Sequence, residues 1–218
     1  DDLVSSFGLQ DNPLLKRITR KAFRRPAFTF AEMMRRFDTL SESHSLAFGA
    51  RATLDCFIHS LQVTGENNLQ ASGPVLYLSN HPGMVDTLAL FATIKRADLK
   101  IIALQRPFLQ SLPGISKRLL YVSQDSNLRM QSVRQATNHL RAGGAVLTFP
   151  AGKIEPDPKV YPGAIESLEE WTETAGVFLR LVPGLKIIPI MVSGVLWEKA
   201  VKFPLVRIKA NREEREKF

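Results

Sequence analysis

The chain has 218 residues, 44% of them hydrophobic and 23% charged, with a single cysteine. That is enough apolar material for one sizeable core, and it excludes a disordered tail, a collagen-like repeat and a disulfide-stapled small domain. Cys56 by itself closes no internal disulfide, which fits a reducing, cytoplasmic-side setting. Basic residues outnumber acidic ones 29 to 21, a formal charge of +8; such a balance points to a polyanionic partner, whether anionic lipid, a phosphorylated ligand or nucleic acid.

At the start of the chain, residue 1 is Asp and no charged-apolar-small leader pattern follows. No apolar run reaches the roughly 18 residues of a spanning helix. The expectation is a processed or excised chain, with any membrane-crossing segment in flanks absent from it. Residues 13–62 read as helical. Met33, Phe37 and Leu40 recur at helical spacing, with Phe23, Phe28, Phe30 and Met34 among arginines, and Pro26 is expected to interrupt the helix. Residues 14–36 carry Lys16, Arg17, Arg20, Lys21, Arg24, Arg25, Arg35 and Arg36 against Glu32 alone. A helix with aromatics on one face and arginines on the other can lie in a membrane interface; it can equally pack on a domain with its arginines in water. Cys56, in the apolar run Leu54 to Ile58, reads as a core residue.

From about residue 71 apolar strands alternate with helix-length segments. The strand-like runs are Val75–Ser79, Lys100–Leu104, Tyr121–Ser123, Ala145–Phe149 and Lys186–Val192; the helical segments are 84–96, 115–120, 128–142 and 163–180, the third stopped by Gly143-Gly144. The pattern predicts an α/β fold: a mostly parallel sheet flanked by helices, preceded by a basic amphipathic helical segment. The expected division is a helical membrane-docking segment, 1–68, and an α/β domain, 69–218. Ligands of such sheets bind beyond the carboxyl ends of the strands, which directs attention to the turns after Ser79, Phe149 and Val192. A second basic patch falls in residues 95–141, where nine basic residues, Arg96, Arg106, Lys117 and Arg118 among them, face only Asp98 and Asp125.

The first turn reads Asn80-His81-Pro82-Gly83-Met84-Val85-Asp86. A chain reversal over this spacing can bring Asp86 onto one imidazole nitrogen of His81, fix its tautomer and leave the other nitrogen to take a proton. No Ser or Cys beside it serves as nucleophile, so the base would act on a hydroxyl of the substrate. On spacing alone the same residues also describe a loop histidine whose neighbouring Asp86 caps a helix. The second turn, Phe149-Pro150-Ala151-Gly152-Lys153, exposes backbone N–H groups and an ammonium where an oxyanion or phosphate could sit, but it lacks the glycine spacing of a P-loop. The third, Ile187-Ile188-Pro189-Ile190, reads first as core strand, with Pro189 out of place in a central one. His44, His59, His81 and His139 are scattered and form no Cys/His cluster.

The order and spacing of these pieces resemble the glycerophospholipid acyltransferases, the superfamily of 1-acylglycerol-3-phosphate O-acyltransferases. Asn80-His81 with Asp86 is similar to their His-x4-Asp motif. Phe149-Pro150-Ala151-Gly152 is similar to their Phe-Pro-Glu-Gly-Thr-Arg motif, and Ile187–Ile190 to a late apolar-Pro-apolar motif. Leu112-Pro113-Gly114 with Leu120-Tyr121-Val122 is similar to the segment between. The resemblance spans about residues 70–195. It implies transfer of a fatty acyl group from acyl-CoA or acyl-carrier protein to a hydroxyl, with His81 as general base, Asp86 as its orienter, and N–H groups near Gly152 on the oxyanion. Neither metal nor other cofactor is implied. Substrate contacts would come from Asn80, Gly83, Phe149, Pro150, Gly152, Lys153, Arg106, Lys117 and Arg118. The chain departs from the family where Ala151 and Ile154 replace the motif's glutamate and arginine and where Gln124 takes the place of an arginine after the third strand. Those departures bear on a glycerol-phosphate acceptor more than on the chemistry of His81.

The reading that results is a membrane-surface O-acyltransferase, peripheral or anchored at the cytoplasmic face, acting on a lysophospholipid or related lipid and docked on anionic lipid by its N-terminal helices. The alternative is a non-catalytic lipid- or acyl-carrier-binding module on the same fold. Nucleic acid as a partner rests on charge alone, without zinc-finger spacing or an aromatic RNA-binding motif.

Overall fold

The computed structural model describes residues 13–122 and 126–201. Its elements, in chain order, are α1 (Pro13–Ser43), α2 (Leu46–Leu54), β1 (Val75–Ser79), α3 (Met84–Thr93), β2 (Lys100–Leu104), α4 (Pro107–Gln110), α5 (Pro113–Ser116), β3 (Leu119–Val122), α6 (Ser126–Arg141), β4 (Ala145–Thr148), α7 (Thr174–Leu181), β5 (Lys186–Ile190) and α8 (Glu198–Val201), with 3₁₀ turns at Glu66–Asn68 and Glu166–Glu170. The five strands form one sheet in the order β3-β2-β4-β1-β5, every neighbouring pair parallel. The expected α/β class and parallel sheet are what the chain adopts.

The centre of this sheet follows from its composition. All five residues of β1 and all four of β4 are buried, so these continuous apolar runs are covered on both faces, as parallel strands require. On one face Leu76, Leu78, Leu120 and Val146 meet Ala136 and Leu140 of α6 and Phe178 of α7. Val75 and Tyr77 point to the other face by the two-residue strand period. Phe37, near the end of α1, stacks on Phe91 of α3 at 6.5 Å between ring centres. Gly143 stops α6 with φ +84°, the N–H groups of Gly143 and Gly144 donating to the carbonyls of Leu140 and His139, a left-handed stop that glycine adopts freely.

Several expectations change. α1 runs through Pro26 without a break. Arg24, Arg25 and Pro26 are exposed, so the carbonyl that loses its partner there can take water instead. Residues 115–120 divide between α5 and β3, and 163–180 between a 3₁₀ turn and α7. α2 ends at Leu54, which leaves Cys56 in the following turn, exposed rather than in the core. Pro189 lies in β5, an edge strand, where a missing N–H costs no ladder partner on the open side.

The chain divides into two compact units. The larger, Arg36–Leu196, holds the whole sheet and the last two turns of α1. Asp38, in one of those turns and 6% exposed, accepts hydrogen bonds from the N–H groups of Gly114 and Ile115 and so pins the Leu112-Pro113-Gly114 segment. The other unit comprises the residues up to Arg35 together with those from Trp197. Within it Arg24, Arg25, Phe28, Glu32 and Arg35 are exposed and Met34 is buried. The side chains of Lys16, Arg17, Arg20 and Phe23, and residues Gln124 and Asp125, lie outside what the structure describes. Among the described residues no helix is long and apolar enough to cross a membrane.

Candidate active site

Parallel register sets the site. Leu78 of β1 lies level with Thr148 of β4 and with Pro189 of β5, and Ser79 is level with Ile190. The chain therefore leaves three adjacent strands at one edge, and the turns beginning at Asn80, Phe149 and Met191 start side by side.

In the first of these turns, His81 Nδ1 lies 3.0 and 2.9 Å from the two carboxylate oxygens of Asp86. Asp86 stands third in α3 and is fully buried. One of its oxygens also accepts from the Gly83 N–H at 2.8 Å, at the start of the helix, and the other from the Thr87 hydroxyl at 2.8 Å. The carboxylate thus caps the helix and orients the imidazole at once, so the two readings left open by the spacing describe one residue. His81 keeps a quarter of its side chain exposed. Its ring lies against Phe149, 4.4 Å between centres and 30° between planes. With Nδ1 on the carboxylate, Nε2 is the nitrogen left for a ligand.

The backbone of the turn is held as firmly as its side chains. The N–H of His81 donates to Glu155 Oε2 at 2.9 Å, and its carbonyl accepts from the Glu155 N–H at 2.8 Å. Glu155 Oε1 accepts from the Trp171 indole N–H at 2.7 Å, and Glu155 is 1% exposed. Asp157, fully buried, accepts from the N–H groups of Lys159, Gly194 and Leu196 and holds the segment after β5. That segment brings Val195 so close to Gly83 that a Cβ there would sit 3.1 Å from a Val195 methyl. None of Glu155, Asp157, Thr87 and Trp171 was singled out by sequence pattern. The only signal was two acids, Glu155 and Asp157, in a turn that otherwise follows an apolar strand.

The nine substrate-contact candidates do not gather in one place. Gly83, Phe149, Pro150, Gly152, Lys153 and Arg106 lie at the carboxyl edge of the sheet. Asn80 lies there too, but its side chain is 2% exposed, and its amide donates to the Val192 carbonyl at 2.8 Å and accepts from the Val192 N–H at 2.7 Å. It ties β1 to the segment after β5 instead of facing a substrate. Lys117 and Arg118 precede β3, so parallel pairing carries them to the opposite edge, about 13 Å away along a five-residue strand. There Lys117 pairs with Glu42 at 2.5 Å, which raises its pKa, and Arg118 donates to the Ala97 carbonyl at 2.6 Å. Arg96, counted in the same basic patch, is buried beside Asp98 and bonds the carbonyls of Gln70, Gly73 and Gly143. The Gly152 N–H, a candidate for the oxyanion, is taken by the Phe149 carbonyl at 3.0 Å in a turn that Gly152 closes with φ +65°. Lys153 pairs with Glu170 at 2.5 Å, both about half exposed. Among the described residues no three His, Cys, Asp or Glu side chains converge as metal ligands do.

No curated protein and no solved structure matches this chain. A family model described as Acyltransferase matches residues 60–193. The match begins ahead of β1 and ends past β5, so it takes in all five strands, the turns after β1 and β4 and the start of the turn after β5. By that match, over more than half of its length, the chain belongs to the acyltransferase family and is an acyltransferase enzyme.

Proposed function

We propose that the enzyme moves a fatty acyl group from the thioester of acyl-CoA or acyl-carrier protein to a hydroxyl of a lysophospholipid or related lipid at a membrane surface, on its cytoplasmic face. The observation that carries this reading is the imidazole of His81, held at Nδ1 by both oxygens of a buried carboxylate, with no partner on its other nitrogen among the described residues. Nε2 takes the proton of the acceptor hydroxyl as that oxygen attacks the thioester carbonyl. Asp86 steadies the imidazolium that results. The tetrahedral intermediate collapses with loss of the thiolate, which recovers the proton from Nε2. No acyl-enzyme forms. For the oxyanion, the proposal turns to the N–H groups of Met84 and Val85 at the start of α3, because the Gly152 N–H is taken by the Phe149 carbonyl.

Arg106 and Lys153 are the two cations of the candidate set at this edge, and the proposal gives them the anionic portion of donor or acceptor. The exposed arginines of α1 would hold the enzyme on anionic lipid. The deciding experiment is thiol release from a panel of acyl-CoAs and acyl-carrier donors with lyso-lipid acceptors, comparing the native chain with His81→Ala. Acceptor-dependent release that falls about 10³-fold on substitution supports the enzyme. Silence of the folded native chain on anionic vesicles with every donor overturns it in favour of the binding module.

A further inference from the structure

The base and its orienter are both in the first turn, yet a further buried acid that touches the base comes from another turn. Glu155 is 1% exposed and, among the described residues, carries no cation on either oxygen. Burying a carboxylate is costly unless it is fully hydrogen-bonded, and here both bonds come from neutral donors: the His81 N–H at 2.9 Å and the Trp171 indole at 2.7 Å. With the Glu155 N–H bonded to the His81 carbonyl at 2.8 Å, the residue clasps the one backbone unit from which the imidazole hangs.

We propose that Glu155 is a positioning residue for His81, fixing the backbone of the base through a carboxylate that is itself locked by Trp171. This deepens the acyl-transfer reading and rests on it for its kinetic consequence. The chemistry of the donors explains why a carboxylate is needed. Two N–H groups converge on two oxygens, and only a carboxylate offers two acceptors and no donor in that plane. Glutamine has the same shape but sets an NH₂ against one of the two donors, so it must give up either His81 or Trp171. Loss of the clasp leaves Asp86 and Phe149 in place and lets the His81 backbone shift. A displacement of the order of 1 Å in a reacting group lowers turnover by about 10²-fold.

The test compares Glu155→Gln with the double variant Glu155→Gln/Trp171→Phe. In the double variant the indole donor is gone, and the glutamine carbonyl is free to accept from the His81 N–H. We expect Glu155→Gln to lower kcat about 10²-fold, with KM changed less than about threefold, and the double variant to regain most of the loss. A kcat for Glu155→Gln within about threefold of the native value overturns the proposal. So does a double variant as slow as the single one, with KM and thermal midpoint moving alongside, because Glu155 would then serve only to hold its loop. The imidazole ¹⁵N signals of His81 give a readout independent of turnover. They should shift in the single variant and return in the double; unmoved signals overturn the proposal. A native chain that transfers no acyl group from any donor defeats the acyl-transfer reading, and the ¹⁵N signals still decide the role of Glu155.

Discussion

At the scale of single residues, the site depends on carboxylates with several partners each. Asp86 accepts from His81, Gly83 and Thr87, so its removal disturbs both base and helix start. Asp86→Asn keeps the volume but presents an NH₂ to at least one donor. We expect kcat to fall by about 10²- to 10⁴-fold with the fold retained by circular dichroism; a loss under tenfold would sink the assignment of Asp86 as orienter. Arg106 and Lys153 make a different kind of prediction. Arg106→Ala should raise KM for a phosphate-bearing acceptor or donor several-fold while leaving kcat nearly unchanged, whereas Lys117→Ala, at the other edge, should change neither.

A second residue-scale prediction concerns Arg96. Its Nε and Nη2 bond the two oxygens of Asp98 at 2.8 and 2.7 Å, and its remaining bonds go to carbonyls of the loops ahead of β1 and β4. The guanidinium holds the Asp98 carboxyl below its ordinary range, chiefly through its hydrogen bonds; burial opposes this next, and charge attraction adds a smaller lowering effect. A folded value below the unfolded one stabilises the native state above the unfolded pKa of about 4, and that stabilisation disappears as pH falls through the folded value. Asp98→Asn should therefore lower the thermal midpoint at pH 7, and the gap to the native chain should close on acidification toward pH 3. A gap that stays constant would show that the charge of Asp98 contributes nothing. Arg96→Lys loses the fork and several carbonyl bonds, and chemical denaturation should register about 2 kcal/mol; the Asp98 side chain is 42% exposed, which screens its share.

At the scale of elements, helix crossings and strand ends decide most of what happens. Gly49 lets α2 approach the end of α1. A Cβ at that position would lie 2.8 Å from the Ser41 nitrogen and 2.9 Å from the Phe37 carbonyl oxygen, both backbone atoms with little room to retreat. Gly49→Ala, normally favourable inside a helix, should here destabilise the chain by about 1–3 kcal/mol, measured by the urea midpoint. The β1, β2, α6 and β4 assignments were readable to within about two residues because their patterns are long or continuous and end in glycine, proline or polar residues. The 163–180 segment was harder to read. Its apolar residues fit a helix, but the interval before α7 is held by Glu155 and Pro150 through Trp171 and Thr172, partners far along the chain. Cys56 was misplaced for a related reason: an apolar run says nothing about where its helix stops.

At the scale of the whole chain, charge and topology separate two kinds of basic residue that composition counts together. The patch in residues 95–141 is divided by the sheet: Arg106 goes to the carboxyl edge, and Arg96, Lys117 and Arg118 go to internal partners at the amino edge. In α1, Arg24 and Arg25 are exposed. If they dock the enzyme, flotation with anionic vesicles should weaken steeply between about 0.05 and 0.5 M salt, and replacing Arg24 and Arg25 by glutamine should reduce it further. Flotation insensitive to both would remove these arginines from membrane docking.

The sequence by itself determined the class of fold, because strand and helix periods are set by near neighbours; the spacing of His81 and Asp86 allowed their pairing without requiring it, and the family resemblance is what pointed to it. The tertiary structure alone decided which edge of the sheet each cation occupies, that Asn80 bonds the segment after β5, and that Glu155, itself bonded by Trp171, reaches the base. These depend on parallel register, which brings into contact residues 74 and 112 positions apart along the chain. Spacing along the chain carries no trace of such a distance.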